Sequence, residues 1–196
     1  EISIVTFLLT ISGAIAQYPI GYISDKFDRR KVIVFTTFGA AFSALLLIFS
    51  SGTMYLPQGL GSSKIWFYFF VVLFSFCSLP LFSLILAHTN DYITKDKFVA
   101  AGASLQFAFG FGAMSGPFLC SIFMNLIGNN GFFIFIIIFH SMIGFFGIHR
   151  MKVRPSLDNP DSQFVPMPQT ITPVGMELNP STCLLYTSDA ADERLS

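Results

Sequence analysis

Three long stretches of this chain, residues 32–63, 65–90 and 98–149, contain no Asp, Glu, Lys or Arg. A soluble domain has about a quarter of charged residues, whereas this chain is 11% charged and 53% hydrophobic. An apolar helix of about 20 residues is long enough to cross the hydrocarbon core of a bilayer. The sequence therefore predicts an all-α fold, a polytopic bundle of transmembrane helices that lies in a lipid bilayer.

Five transmembrane spans are predicted within residues 1–150, which form the transmembrane region. Pro19 and Pro80 lie inside the first and third spans and predict bends there, because proline interrupts the helical hydrogen-bond ladder. The spans are predicted at about 2–22, 32–51, 65–87, 98–125 and 132–149.

The two ends of the chain differ from this region. It opens at Glu1 in an apolar run without an initiator Met, so we interpret it as a fragment that lacks its N-terminal part. Residues 151–182 are rich in proline and poor in apolar residues, which predicts a disordered tail. Residues 183–196 resemble translated sequencing-adapter read-through and are interpreted as an artefact.

The basic residues predict the orientation of the bundle. Loops that hold most of the Lys and Arg lie on the cytoplasmic side of a membrane, so the C-terminus is predicted to be cytoplasmic. If the spans alternate, Lys64 lies alone on one face, and the other face holds Lys26, Arg29, Arg30, Lys31, Lys95, Lys97, Arg150, Lys152 and Arg154.

Between the first two spans lies a densely charged stretch, residues 21–31, which begins with Gly21. Each charge placed in hydrocarbon costs several kcal/mol, so this stretch is predicted to be a tight loop outside the membrane. The two flanking spans then enter the membrane from the same face. The ionisable residues of the stretch are Asp25, Lys26, Asp28, Arg29, Arg30 and Lys31.

The pattern Gly21-x-x-x-Asp25-Lys26-x-x-Arg29-Arg30-Lys31 resembles the loop signature of the major facilitator superfamily of transporters. In that family, the signature joins the second and third helices of a six-helix half. The usual pattern has glycine where this chain has Asp28. Aspartate tolerates a left-handed backbone better than most residues, and it can also cap a helix N-terminus.

A second pattern lies in the fourth span, where small residues recur every four positions. Such a row lets another helix backbone approach closely. Its end, Gly112-Ala-Met-Ser-Gly116-Pro117, resembles the Gly-x-x-x-Gly-Pro element in the fifth helix of a facilitator half, where a bend lets helices rock. The order of the two signatures implies that the five spans are helices two to six of one half. The row comprises Ser104, Ala108, Gly112, Gly116 and Cys120.

The run from Leu81 to Asp91 resembles the C-terminal half of the YcaD-like branch, which implies helices eight to twelve. Helix seven and the N-terminal half would then be absent, and that missing half would be a partner. The resemblance implies a secondary transporter that moves a small solute across the plasma membrane or a bacterial inner membrane by alternating access. Such a protein is not an enzyme. Proton coupling stays open, because no carboxylate lies within a span.

Several polar residues are candidate functional residues, each with a structural alternative. Asp25, with Arg29 and Arg30, either forms a charge clasp in one transport state or belongs to a solvated loop that only sets topology. Three residues at the end of the third span either form a gate or cap helix ends: His88, Asn90 and Asp91.

His140 lies inside the fifth span, where an ionisable residue is a functional hypothesis by default. It either meets a proton or the substrate in a central cavity, or is a neutral histidine bonded to a neighbouring helix. Gln17 and Gln106 are further candidates for a cavity or gate, although helix packing is the favoured role for Gln106.

Two other classes of function are alternatives to transport. Ser115 and His140 could form the nucleophile–base pair of an intramembrane serine hydrolase, but no oxyanion donors are evident. A non-transporting membrane scaffold or receptor would keep the packing faces and show no flux. The sequence predicts no cofactor, no nucleic-acid partner and no metal site. Its cysteines Cys77, Cys120 and Cys183 lie too far apart for a zinc motif.

Overall fold

A computed structural model describes residues 2–50, 64–93 and 97–153 of the chain. Every regular element in these ranges is helical, and five segments are long and apolar enough to cross a membrane when α3 and α4 count as one. The predicted all-α transmembrane bundle is confirmed. The helices are α1 (Ile2–Lys26), α2 (Arg29–Ser50), α3 (Lys64–Ser78), α4 (Pro80–Asn90), α5 (Phe98–Ile127) and α6 (Gly131–Val153).

Most of the charged stretch at residues 21–31 is helical, whereas the sequence predicts a loop there. Helix α1 continues to Lys26 and α2 already begins at Arg29, so only Phe27 and Asp28 lie between them. The prediction placed the helix ends where charge begins. Charged side chains must leave the hydrocarbon, but their backbone can stay helical, because side chains extend to the interface.

Pro80 divides the third span in two. Because proline has no backbone N–H, it cannot continue the hydrogen-bond ladder, and α4 begins at Pro80 as a separate helix. Leu79 between the two helices keeps φ −66° and ψ −36°, and its N–H still donates to the Ser75 carbonyl at 3.1 Å. The predicted bend is therefore an interruption of the ladder within one span, residues 65–90.

Helix α2 is the most buried of the five spans, since the rest of the chain buries 56% of its most apolar stretch. It packs against α3 and α6, while α1 packs against α3. Small side chains such as Ala16, Ala40 and Ala44 are fully buried, as expected where helices associate through close van der Waals contact. Buried hydroxyls are satisfied, since Ser43 and Thr37 each donate to a carbonyl of α2 itself.

Helix α5 lies at the edge of the bundle. No residue in its most apolar stretch is buried, and its neighbours among the described residues are α6 and α4.

At its C-terminal end α6 continues to Val153, three residues into the predicted tail. The rest of the predicted tail and the predicted artefact, residues 183–196, lie outside the described residues, as do Lys95 and Arg154.

Candidate functional site at the charged end of the bundle

Three helices meet at one end of the bundle, which we call the charged end. Asp25 lies in the last turn of α1, Arg29 is the first residue of α2, and Asp91 immediately follows α4. The end of α6 reaches the same place, because Arg150 and Arg30 line one pocket. The charged residues at the α1–α2 junction, at the end of α4 and at the end of α6 are thus brought to one site.

Arg29 binds two carboxylates at once. Its Nη1 donates to both oxygens of Asp91 at 2.9 and 2.8 Å, and its Nη2 donates to Asp25 Oδ1 at 2.9 Å. The side chains of Arg29 and Asp91 are only 3% and 4% exposed. Charges this deeply buried need hydrogen-bonded partners of opposite sign. Arg29 therefore connects α1, α2 and the end of α4.

Asp28 caps α2 and pairs with Arg30. Its Oδ1 accepts the backbone N–H of Arg30 at 3.1 Å, and its Oδ2 accepts Nη2 of the same residue at 3.1 Å. Burial alone would raise the pKa of Asp28, but the hydrogen bonds from Arg30 and the charges of Arg30 and Lys31 outweigh this and lower the pKa. The capping role proposed for Asp28 is confirmed. The left-handed backbone is not, because no non-glycine residue in the described ranges has positive φ.

The other residues of the charged stretch surround this network. Gly21 is buried on α1, while Lys26 and Lys31 are exposed. The Lys26 ammonium lies 4.3 Å from the centre of the Tyr22 ring, a cation–π contact within the same helix. Lys26 and Lys31 are thus placed toward solvent or headgroups.

The residues at the end of α4 have separate surroundings. The side chain of Asp91 belongs to the ion pair with Arg29, a partner 62 residues away that sequence reasoning missed. Capping at this end uses backbone N–H groups, since that of Asp91 donates to the Ala87 carbonyl and that of Tyr92 donates to the Thr89 carbonyl, each at 3.1 Å. The ring of His88 packs edge-to-face on Tyr92 at 5.1 Å between centroids, and the Asn90 carbonyl accepts the N–H of Ile93 at 3.4 Å.

The only clue to the missed pair is that Asp91 is a carboxylate at the end of the third span, which the alternation of spans places on the face of Arg29. Two other carboxylates, Asp25 and Asp28, lie closer to Arg29 in sequence. The choice among them follows from helix packing rather than from sequence spacing.

His140 is bonded to a neighbouring helix. Its Nε2 lies 3.2 Å from Ser78 Oγ, at the α3–α4 interruption, and its Nδ1 lies 3.0 Å from the Ile136 carbonyl. Its ring also packs against Phe74. This contact is the packing alternative that the sequence left open, and a role with a proton or substrate stays a prediction.

The Ser115–His140 pair that the hydrolase alternative requires is not formed. Ser115 Oγ donates to the Phe111 carbonyl of its own helix at 2.9 Å, and both ring nitrogens of His140 face other groups. The described part of the chain therefore shows no nucleophile–base pair between these two residues. The hydrolase alternative loses its geometric support.

The small-residue row of α5 has no partner helix within the described part of the chain. A Cβ added at Gly112 or at Gly116 would meet nothing within 4 Å. Pro117 is exposed and lies inside an α-helix that continues past it. Among the remaining candidates, Gln17 and Gln106 are half-buried on α1 and α5. No group of three or more metal-ligating side chains occurs in the ranges that the structure describes.

Comparison with known proteins gives two matches. The family model of the Major Facilitator Superfamily matches residues 1–185. A protein of Yersinia enterocolitica serotype O:8 / biotype 1B, described as an uncharacterized MFS-type transporter, is 24% identical over 159 residues. That match covers 81% of this chain but 36% of the relative, so the chain spans little more than a third of the relative's length. No solved structure matches the chain.

Proposed function

Because this chain belongs to the major facilitator superfamily, we propose that it forms part of a secondary transporter that moves a small solute by alternating access. Family membership points to a multi-pass membrane transporter and away from an enzyme. In alternating access, two groups of helices rock around a binding site near the membrane midplane. The proposal assigns the Arg29 network to the conformational part of that cycle.

One observation supports this assignment most directly: Arg29 is buried between carboxylates that belong to different helices. A solvated loop would leave these side chains in water, where a salt bridge contributes about 0–1 kcal/mol. Here Arg29 and Asp91 are 3% and 4% exposed, and removing one partner of a buried pair costs about 3–5 kcal/mol. Separation of these helix ends would part Arg29 from its carboxylates, and we infer that the network thereby favours the state in which α1, α2 and α4 are together.

The uncovered face of α5 supports the proposed place of this chain in a larger transporter. Gly112 and Gly116 have open space where a side chain would lie, and large apolar residues near them are exposed, including Phe111 at 61% and Met114 at 73%. We assign the helices to positions eight to twelve of a C-terminal half of the YcaD-like branch. Helix seven and the N-terminal half would then cover this face.

The basic residues of the charged end support a cytoplasmic position for it and for the C-terminus. Lys26, Arg29, Arg30, Lys31 and Arg150 all lie at this end. The positive-inside rule assigns such an end to the cytoplasm. The Arg29 network would then hold the cytoplasmic ends of the helices in place while the opposite side of the transporter is open.

The test uses the full-length parent protein in proteoliposomes, with uptake of a panel of radiolabelled solutes measured with and without an imposed pH gradient. Asp91→Asn removes one charge from the Arg29 network. Asp28→Asn is the matched control, because it removes a charge at the same end while asparagine remains a good N-cap. We expect flux of at least one solute, reduced about tenfold or more in Asp91→Asn and little changed in Asp28→Asn.

Each other result has a defined meaning. Absence of flux for every solute, with the protein folded, would contradict the transporter proposal and favour a scaffold or receptor. Equal loss of flux in both variants would show that the Arg29 network contributes no more than any other charge at this end. Flux that the pH gradient does not change would exclude proton coupling and, with it, a proton role for His140.

A further inference from the structure

A second polar feature of the charged end takes no part in the Arg29 network. It is a pocket of about 270 Å³ that opens between α2, the end of α4 and the end of α6. Pockets for drug-sized ligands measure about 300–1,000 Å³, so this one fits a small polar group. Its lining residues are Arg30, His88, Thr89, Tyr92, Ile93 and Arg150.

The register of α2 and α6 explains why two arginines meet here. A Cβ at Gly144 would lie 2.8 Å from the Phe38 ring, and one at Gly147 would lie 2.7 Å from Val34 Cγ2. The glycines thus let the two helices approach closely, with residues ascending along α6 as they descend along α2. The next step in this register brings Arg150 beside Arg30, as the pocket lining shows.

Two guanidinium groups in one pocket repel each other unless an anion lies between or beside them. Asp28 pairs with Arg30, but in the described ranges no carboxylate lies within 4.0 Å of a basic nitrogen of Arg150. Thr89 and Tyr92 add hydroxyl donors to the lining, and His88 adds a ring nitrogen. An acceptor with several oxygens and a negative charge suits such a donor set, and arginine binds phosphate through two parallel hydrogen bonds.

The neighbouring surface places the pocket at the depth of lipid headgroups. Phe145 and Phe146, about one turn before Arg150 on α6, are both 65% exposed. Phe35, little more than one turn after Arg30 on α2, is 77% exposed. A rise of about 1.5 Å per residue places these rings roughly 6–8 Å deeper along the helix axes than the arginines. Exposed phenyl rings at that depth contact acyl chains.

We propose that this pocket binds the phosphate group of an anionic membrane lipid. Arg150 and Arg30 contact the phosphate oxygens, and the acyl chains follow the exposed aromatic surface of α2 and α6. Basic pockets between transmembrane helices are suited to such headgroups. This site lies outside the proposed transport pathway, so its test does not depend on whether the parent protein transports anything.

The test is native mass spectrometry of the purified full chain, released from detergent that contains equal amounts of phosphatidylglycerol and phosphatidylcholine. We expect preferential retention of phosphatidylglycerol, reduced about tenfold in Arg150→Gln because a hydrogen bond to a charged group is lost. Lys152→Gln is the matched control. It removes a charge from the same turn of α6, where Lys152 is exposed and does not line the pocket.

The control should stay within about threefold of the unaltered protein at physiological ionic strength, because salt screens exposed charges. Arg150→Lys should recover retention only in part, since lysine lacks the planar fork. Equal losses in Arg150→Gln and Lys152→Gln, or equal retention of both lipids, would overturn the proposal. Added inorganic phosphate distinguishes the source of the ligand. Displacement of the lipid at millimolar phosphate would assign the pocket to a soluble phosphate and overturn the lipid assignment.

Discussion

The Arg29 network and the small-residue row of α5 both carry a sequence signature, but they differ in where their partners lie. The network finds partners on neighbouring helices of the described chain, since Asp25 and Asp91 both bind Arg29. The row of α5 finds none among the described residues, because Gly112 and Gly116 face open space. Charges must be neutralised locally to be buried at all, whereas a face of small residues costs little while it lies against lipid. The first kind of signature therefore describes packing within this chain, and the second describes a face on which we propose that further helices pack.

The largest expected effect comes from breaking the network. Asp91→Asn should lower the free energy of unfolding by about 3 kcal/mol or more, because it removes a carboxylate that binds the buried Arg29. The measurement is denaturant unfolding of the purified chain in detergent micelles. Asp28→Asn, which retains the cap and acts on the less buried pair with Arg30, should cost less, about 1–2 kcal/mol. Similar values for the two variants would show that the ion pair of Arg29 with Asp91 is no stronger than that of Arg30 with Asp28.

A pair of glycine substitutions tests the contrast between covered and uncovered faces. Gly144→Leu on α6 would overlap the Phe38 ring and should destabilise the chain by about 1–3 kcal/mol. Gly112→Leu on α5 meets nothing and should be neutral or stabilising by up to about 1 kcal/mol, because leucine favours helix more than glycine does. Thermal unfolding of both variants is the measurement.

The same pair of variants sharpens the comparison in the full-length parent. If another helix covers α5 there, Gly112→Leu should become destabilising or should impair function, while Gly144→Leu should behave as in this chain alone. A Gly112→Leu variant that stays neutral in the parent would show that this face never acquires a partner.

The hydrogen bond between Ser78 and His140 should have a smaller effect. Ser78→Ala removes it and should cost about 0.6 kcal/mol, the average for hydrogen bonds between transmembrane helices. Ser115→Ala is the control, since Ser115 bonds only to Phe111 of its own helix in the described chain, and it should be close to neutral. Unfolding by SDS titration can resolve this difference. An equal cost at both positions would mean that the contact with α6 contributes nothing of its own.

The smallest effect concerns pH. Since the pKa of Asp28 is lowered in the folded chain, its contribution to stability is present above its unfolded pKa of about 3.9 and is lost as the pH falls through the folded value. The stability difference between the unaltered protein and Asp28→Asn should be constant above about pH 5 and shrink below about pH 4. A difference that does not change with pH would contradict the ion pair with Arg30.

Apolar length and charge placement were sufficient to predict five spans and the end of the bundle at which the charges lie. Prediction of local chemistry also succeeded where the partners are adjacent, as with Asp28 and the N-terminus of α2. It failed for Arg29 and Asp91, which are 62 residues apart, because their contact depends on the packing of three helices. The Ser115–His140 pair of the hydrolase alternative, which the sequence already disfavoured, is absent because the two residues bond to other groups. The fact that two spans are adjacent in sequence does not determine which of their helix faces are in contact.

The interruption at Leu79 has a mechanical consequence. A continuous helix transmits a tilt at one end along its whole length, whereas a missing ladder bond lowers the bending stiffness at one point. Here that point is held from the side by the contact of Ser78 with His140, while the far end of α4 is attached through Asp91 to Arg29. We therefore expect α4 to tilt about this point more easily than an uninterrupted helix would, although its buried residues still pack against α1 and α2.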